Sequence, residues 1–464
     1  MRGGVGRARQ QPGRDHRPGG AAAPAWHNPP TMTDRHPRFD RLAVLSIATA
    51  LLLAACNTTQ PSATAPAASQ SPAPSAPPTA SAAPTSTAGN PEAFAVYDAI
   101  EDQVAAMRGL EPTMEVERAT LSEAELGAEI ERMYHEETPP ELTAANERLY
   151  KALGLMPADE SLEDLTIEML SGGVAGFYRD DQKKLYVVSK TGEVGVTEKI
   201  TFAHEFGHAL QDQYYPVFKD QDKVIDRSDW ILARQAVYEG DATLLMTLWA
   251  YETFEPAEFQ EMLRLATEDE AAQMLERMPA IMSETLLWPY QQGAAFAQTA
   301  YMQGGWAAID AFYDNMPEST EQILHADKLA DREPPKDVQL PETLAADLGS
   351  GWSMGMEDTF GEFQMGIWLR ETGAPAPADA AAGWGGDRVA VVNGPNDTWA
   401  VVLATDWDSA AEAAEFETAA TVAVEALDDS TAVLSGAGGT VRWVLIASDD
   451  ATLGAVSGAL GLAG

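Results

Sequence analysis

Two histidines four residues apart, with a glutamate beside the first, stand in the stretch TFAHEFGHALQDQYY from Thr201 to Tyr215. In a helix such residues lie about 40° apart around the axis and about 6 Å apart along it, so His204 and His208 project side by side from one face. Two imidazoles placed so can hold one ion. Glu205 lies about 100° further round, beside the ion and outside its coordination positions, where its carboxylate can hold and deprotonate a water. This pattern demands a helix over the motif and a second element that brings another ligand to it.

Zinc takes a third protein ligand and leaves one position open for water in a catalytic site. The chain has seven histidines and one cysteine, and beyond the N-terminal segment only His135 and His325 remain besides the motif pair. A carboxylate is therefore expected as the third ligand. The best placed is Glu239 in AVYEGDATLLMTLWAYE, a helix-patterned stretch, with Asp241 as the rival. Gly240 is expected to let the two ligand-bearing helices approach closely. Asp212, one turn beyond His208 on the same face, is the candidate to accept the outer N–H of His208 and hold its ring, while Gln211 and Gln213 also read as helix surface.

His204-Glu205-Phe206-Gly207-His208 followed by Glu239 resembles the glutamate zincins, metallopeptidases with HExxH on one helix and a glutamate ligand on the next. The longer strings GFYRDDQKKLYVV, HEFGHALQDQ, EGDAT, PYQQGAAF, GGW and STEQILH are similar to those of exported zincin-like proteins of bacteria and archaea. The resemblance spans about residues 95 to 450 and is densest from 174 to 325. It implies one Zn2+ ion at His204, His208 and Glu239, with Glu205 as general base. Thr243 stands where some zincins have an aspartate. The resemblance also implies a His or Tyr that donates to the oxygen on which charge develops, for which His325 is the candidate and Tyr290 and Tyr301 the alternatives. In zincins an edge strand beside the active-site helix pairs with extended substrate, a role that falls on Leu185–Val188.

Around this centre the chain reads as mostly helical α+β. Amphipathic helices are expected from Pro91 to about Leu170, including one opened by a Ser122/Glu125 capping box. A hairpin follows over Gly176–Val188, then the motif helix from Glu198 and helices over about Asp229–Thr253, Pro256–Ser283 and Gln291–Asn315, the last interrupted at Gly304-Gly305-Trp306. Residues 91–350 are thus expected to form a zincin-like domain with a small hairpin or sheet. Residues 351–464 alternate strand and helix patterns and read as a separate small α+β unit. Its final stretch, ATLGAVSGALGLAG, is too short and glycine-rich to span a membrane.

The N-terminus carries an address. Arg35, Arg38 and Arg41 precede an apolar run from Leu42 to Leu53 and then Leu53-Ala54-Ala55-Cys56, the order of a secretory signal over residues 1–55. Residues 1–31 precede a second methionine, Met32, and read as an upstream mis-start. The Leu-Ala-Ala-Cys ending resembles a bacterial lipobox, which implies lipidation of Cys56, the one cysteine of the chain. Residues 56–90, rich in Ser, Thr, Ala and Pro, read as a disordered tether. The protein is therefore expected on the outer face of the cytoplasmic membrane, or another extracytoplasmic face, held there by lipid alone. A net charge of -41 argues against nucleic acid and anionic headgroups as partners.

Together these features predict a lipid-anchored zinc metallopeptidase acting on a peptide or protein substrate. Two alternatives stay open on the sequence: an inactive zincin-fold surface binding lipoprotein, and a zinc hydrolase of non-peptide amides or esters.

Overall fold

The computed structural model describes residues 45–46, 91–189, 193–215, 226–267, 270–427, 431–435 and 439–462. The candidate lipidation site Cys56, the tether and nearly all of the expected signal lie outside them. The described chain is mixed α+β and mostly helical, 62% helix with two small sheets. No helix among the described residues is long and apolar enough to cross a membrane.

The N-terminal half begins with a two-residue strand, β1 (Leu45–Ser46), followed by α1 (Pro91–Arg108), β2 (Glu117–Leu121), α2 (Glu123–Glu137), α3 (Pro140–Ala152) and α4 (Leu162–Gly173). Ser122 and Glu125 close a reciprocal capping box at the start of α2, satisfying two backbone donors that a helix N-terminus otherwise leaves open. The hairpin β3 (Gly176–Arg179) and β4 (Lys184–Val188) pairs antiparallel, with Gly176 opposite Val187 and Arg179 opposite Lys184. The sheet order is β1-β3-β4-β2, with β2 parallel to β4.

This order corrects one expectation. Leu185–Val188 is interior to the sheet, bonded to β3 on one side and to β2 on the other, so it has no edge on which to take a further strand. The sequence ERATL is short and largely polar, and its pairing with β4 is a long-range contact that no local pattern announces. The strand beside the motif helix on the outer side is β3, and Leu45–Ser46 runs antiparallel to Phe177–Gly176 along its other edge.

The motif lies on α5 (Val196–Tyr214), whose residues from Ile200 through Gln211 are all buried. Next come α6 (Ser228–Thr253), α7 (Pro256–Thr267), α8 (Glu270–Leu275), α9 (Ala280–Gly304) and α10 (Trp306–Asp314). The stretch expected as one helix from Pro256 to Ser283 is therefore three pieces, with Pro279 placed just before α9. Burial runs around α6 rather than along one stripe, as in a helix packed on several sides. Gly240 and Gly293 bring α6 and α9 together, whereas α5 reaches α6 through Gly207, over which Ala242 sits. The close approach expected at Gly240 thus joins α6 to α9, not to α5.

Short helices α11 (Thr320–Leu324), α12 (Ala326–Asp331) and α13 (Leu344–Leu348) lead to β5 (Ser353–Asp358), α14 (Gly361–Glu371), α15 (Pro377–Ala381), β6 (Trp384–Asn393), β7 (Trp399–Trp407), α16 (Ala410–Glu425), β8 (Thr431–Ser435), β9 (Val441–Ala447) and α17 (Asp450–Ala459). The second sheet is antiparallel throughout, in the order β5-β6-β7-β9-β8. Alternate residues of β6, β7 and β9 enter different cores. Val391, Leu403 and Ile446 pack with α14 and α16, and Val392, Val402 and Leu445 pack with Leu340, Leu344 and α17. The first core continues without a break into Leu149, Met169 and Met278 of the helical region, so the C-terminal sheet and helices α3, α4 and α9 share one apolar interior.

Candidate metal centre

Helix α5 presents His204 and His208 toward Glu239 on α6, and the three side chains are buried to within 1% of full exclusion. His204 Nε2 and His208 Nε2 are 3.0 Å apart, and Glu239 Oε2 lies 3.1 Å from the first and 3.3 Å from the second. Among the described residues this is the group of His, Cys, Asp and Glu donors that converges as a metal site would. Donors about 2.0–2.1 Å from a tetrahedral ion stand roughly 3.3 Å from one another. The three atoms already sit at close to that spacing.

Charge argues for a cation in the same place. Burial holds the His204 imidazole below its ordinary value. Burial also opposes the charged form of His208, but the Glu239 carboxylate outweighs it and raises that imidazole. Burial likewise opposes ionisation of Glu239, and His208 and His204 hold it low in spite of this. A carboxylate buried against two imidazoles thus requires a positive charge among them, which an ion supplies as a shared proton does. The donor set, two imidazoles and one carboxylate, is one that zinc accepts.

A buried network fixes the His208 ring. Its Nδ1 lies 2.9 Å from Gln211 Oε1, and the Gln211 amide donates to Tyr238 O at 2.9 Å and to Asp241 Oδ2 at 3.2 Å. Asp241 receives Arg108 on both oxygens, at 3.0 and 3.1 Å, and the Tyr313 hydroxyl at 2.7 Å. Arg108, 3% exposed, also donates to Asp310 at 2.6 Å and lies over the Trp306 ring. Two expectations are corrected here. Asp212 does not hold His208; it accepts from Tyr178 at 2.7 Å and from Lys183 at 2.5 Å, tying α5 to the hairpin. Asp241 is no rival ligand, because both its oxygens are committed to Arg108. Thr243, at the position where some zincins carry aspartate, is buried, and its carbonyl accepts from Thr247. Gln211, expected as helix surface, is instead buried against His208, and the three-residue step from His208 is the signal that points to it; nothing in the sequence marks Arg108 and Tyr313.

Glu205 is fully buried beside the triad, one residue from His204. A Cβ on Gly176 of β3 would fall 3.5 Å from Glu205 Cγ and 2.4 Å from Thr201 Cγ2, so the strand passes directly over this part of α5. Tyr290 on α9 completes the surroundings. Its ring centroid is 6.0 Å from that of His204, and burial with Glu239 and Glu205 nearby raises its hydroxyl well above the ordinary value. Pro289 precedes it inside α9 and leaves the helix without the backbone donor at that turn. Tyr301 instead packs edge-on against Trp306, at 4.8 Å.

His325 is not part of this arrangement. Its Nε2 lies 2.7 Å from Glu362 Oε1, linking the end of α11 to α14 of the C-terminal unit. Residues 352–458 match a domain of unknown function, DUF8575. No curated protein and no solved structure is detectably similar to the chain. The DUF8575-like segment supplies β5 through most of α17, and so both Glu362 and the sheet that packs against α3, α4 and α9. The role expected of His325 as donor to a developing oxyanion is replaced by a tie to this segment.

Proposed function

We propose that the protein is an extracytoplasmic, lipid-anchored zinc metallopeptidase. The observation that carries this reading is the convergence of His204 Nε2, His208 Nε2 and Glu239 Oε2 within 3.0–3.3 Å of one another, with Glu205 beside them on the same helix. A zinc ion held by the three would supply Lewis acidity, which brings water into nucleophilic range near neutral pH and polarises a carbonyl.

The chain's own residues do the rest. Glu205 takes the proton of the attacking water on its carboxylate and returns it to the leaving nitrogen, the general base becoming the general acid. Tyr290, close to Glu239 and His204, is the donor to the oxygen of the tetrahedral species, replacing His325 in that role. Gln211 holds His208 in the tautomer whose Nε2 carries the lone pair, when its Oε1 accepts from Nδ1–H. Strand β3, paired with β4 on one side, offers its other edge to an extended substrate backbone once the expected signal over residues 1–55 is removed, since the segment paired there, Leu45–Ser46, belongs to that signal.

Metal analysis of the purified protein, coupled to digestion of a peptide library with and without chelator, tests the proposal. One zinc per chain and chelator-sensitive cleavage are expected. A metal-free protein of unchanged stability and no cleavage would sink it. The surface-binding alternative calls for a fourth protein donor, and among the described residues three converge.

A further inference from the structure

A cavity of about 410 Å³ begins at the candidate metal centre, where Glu239 and Tyr290 form part of its wall, and runs between α3, α4 and α9 to β5 of the DUF8575-like segment. We infer that this cavity receives an apolar group of the substrate, larger than any single amino-acid side chain, and that the C-terminal segment is there to close it. The inference rests on the zinc peptidase reading for the position of the scissile bond.

The lining gives the chemistry. Met169, Met282 and Met356 come from α4, α9 and β5, and Leu162, Ile281 and Leu286 add aliphatic surface. Methionine thioethers adapt to ligands of irregular shape. The polar groups in the wall are largely engaged with one another. The Tyr134 and Thr143 hydroxyls are 2.9 Å apart, Thr166 Oγ1 donates to Leu162 O at 2.7 Å, and Gln364 donates to Thr285 at 3.3 Å. At the β5 end, Asp358 accepts from Ser228 N and Thr359 N at 2.7 Å, and Glu357 is paired with Arg388 at 2.6 Å. A charged group entering here would lose its water and find these partners already engaged, whereas an apolar one gains.

Size narrows the class. A cavity of about 150 Å³ lined by aliphatic and aromatic groups holds one benzene, and small-molecule pockets begin at about 300 Å³. The space beside Glu239 therefore suits a medium to long acyl chain or two consecutive apolar residues next to the scissile amide. Met356 sits on β5, so the helical region alone does not complete the wall.

Calorimetric titration of the zinc-loaded full chain with straight-chain hydroxamates from two to ten carbons, and with the matching plain amides, tests this. The hydroxamate head reads the metal, and the dependence on chain length reads the cavity. Each added methylene is expected to tighten binding of both series about threefold to fourfold until the cavity is full. Met169→Trp and Met282→Trp, which narrow the space away from Glu239, are expected to weaken the ten-carbon compounds at least tenfold and leave acetohydroxamate unchanged. A Phe-Leu hydroxamate compared with the ten-carbon one assigns the group to peptide or to acyl chain. Affinity independent of chain length in the wild type would overturn the inference, whatever the variants do. Equal affinity of hydroxamates and amides, with chain-length dependence intact, would overturn the zinc reading and leave the cavity standing.

Discussion

Gly240 on α6 and Gly293 on α9 meet backbone against backbone. A Cβ built on Gly240 would fall 2.1 Å from the carbonyl oxygen of Gly293, and one on Gly293 would fall 2.2 Å from that of Ala236. Glu239 adjoins the first glycine and Tyr290 lies one turn before the second, so this contact sets the distance between ligand and hydroxyl. Overpacking of this kind costs about 1–3 kcal/mol, sometimes more. Gly293→Ala is expected to reach at least the upper part of that range in chemical denaturation and to weaken zinc binding. Gly454→Ala in α17, where a Cβ meets nothing within 4 Å, serves as the control and is expected to stabilise slightly.

Gln211 and Asp212 separate by function. Removing the side chain that orients a ligand lowers metal affinity about 10–100-fold, so Gln211→Ala is expected to lose that much in competition with a chromogenic chelator. Asp212→Ala is expected to bind zinc as the wild type does, because its partners are Tyr178 and Lys183 on the hairpin. Equal losses in the two variants would contradict the network described.

Tyr290 and His325 differ in the same way. Loss of a donor to a developing oxyanion costs about 10²–10³ in kcat, and Tyr290→Phe is expected to show it with KM little changed. His325→Ala is expected to keep kcat within about twofold and to lower stability, through the loss of its bond to Glu362. Steady-state kinetics on one cleaved peptide, with melting curves alongside, read both.

The junction with the C-terminal segment gives stability a pH dependence. Burial lifts the Asp229 carboxyl to about 8, although the Thr320 hydroxyl and amide favour its charged form. Burial also raises Asp387 and Asp358 to about 6. Between the ordinary carboxylate value near 4 and these raised values, the folded chain holds protons that the unfolded chain has released. Their contribution is therefore complete below about pH 4 and is lost as pH rises toward 8. Asp229→Asn is expected to flatten this decline by an amount on the order of a few kcal/mol in melts from pH 5 to 8.5. An unchanged slope would remove Asp229 as its source.

Local periodicity made the heart of the site legible. The step from His204 to His208 and the helix pattern around Glu239 depend on neighbours within a few residues, and the structure brings those three side chains together. The Ser122 capping box and the Gly176–Val188 hairpin were readable for the same reason. Choosing Gln211 over Asp212 required the phase of α5 and the position of Tyr238 and Asp241, which the sequence of one helix does not contain. The parallel pairing of β2 with β4, the Gly240–Gly293 contact and the His325–Glu362 bond join residues distant in the chain, and nothing local marks them. The last helix escaped notice because Gly454 and Gly458 interrupt the pattern of Leu453, Val456 and Leu460, although Asp449 caps it through Thr452.

Zinc-loaded wild type and Glu205→Gln compared in digestion of a single peptide library, with metal content measured on the same samples, test the central claim most directly. The account predicts one zinc in each protein, cleavage by the wild type, and a loss of about 10³-fold or more in the variant, whose amide cannot take the proton. Equal cleavage by the two proteins, or cleavage by a wild type that holds no metal, would contradict it.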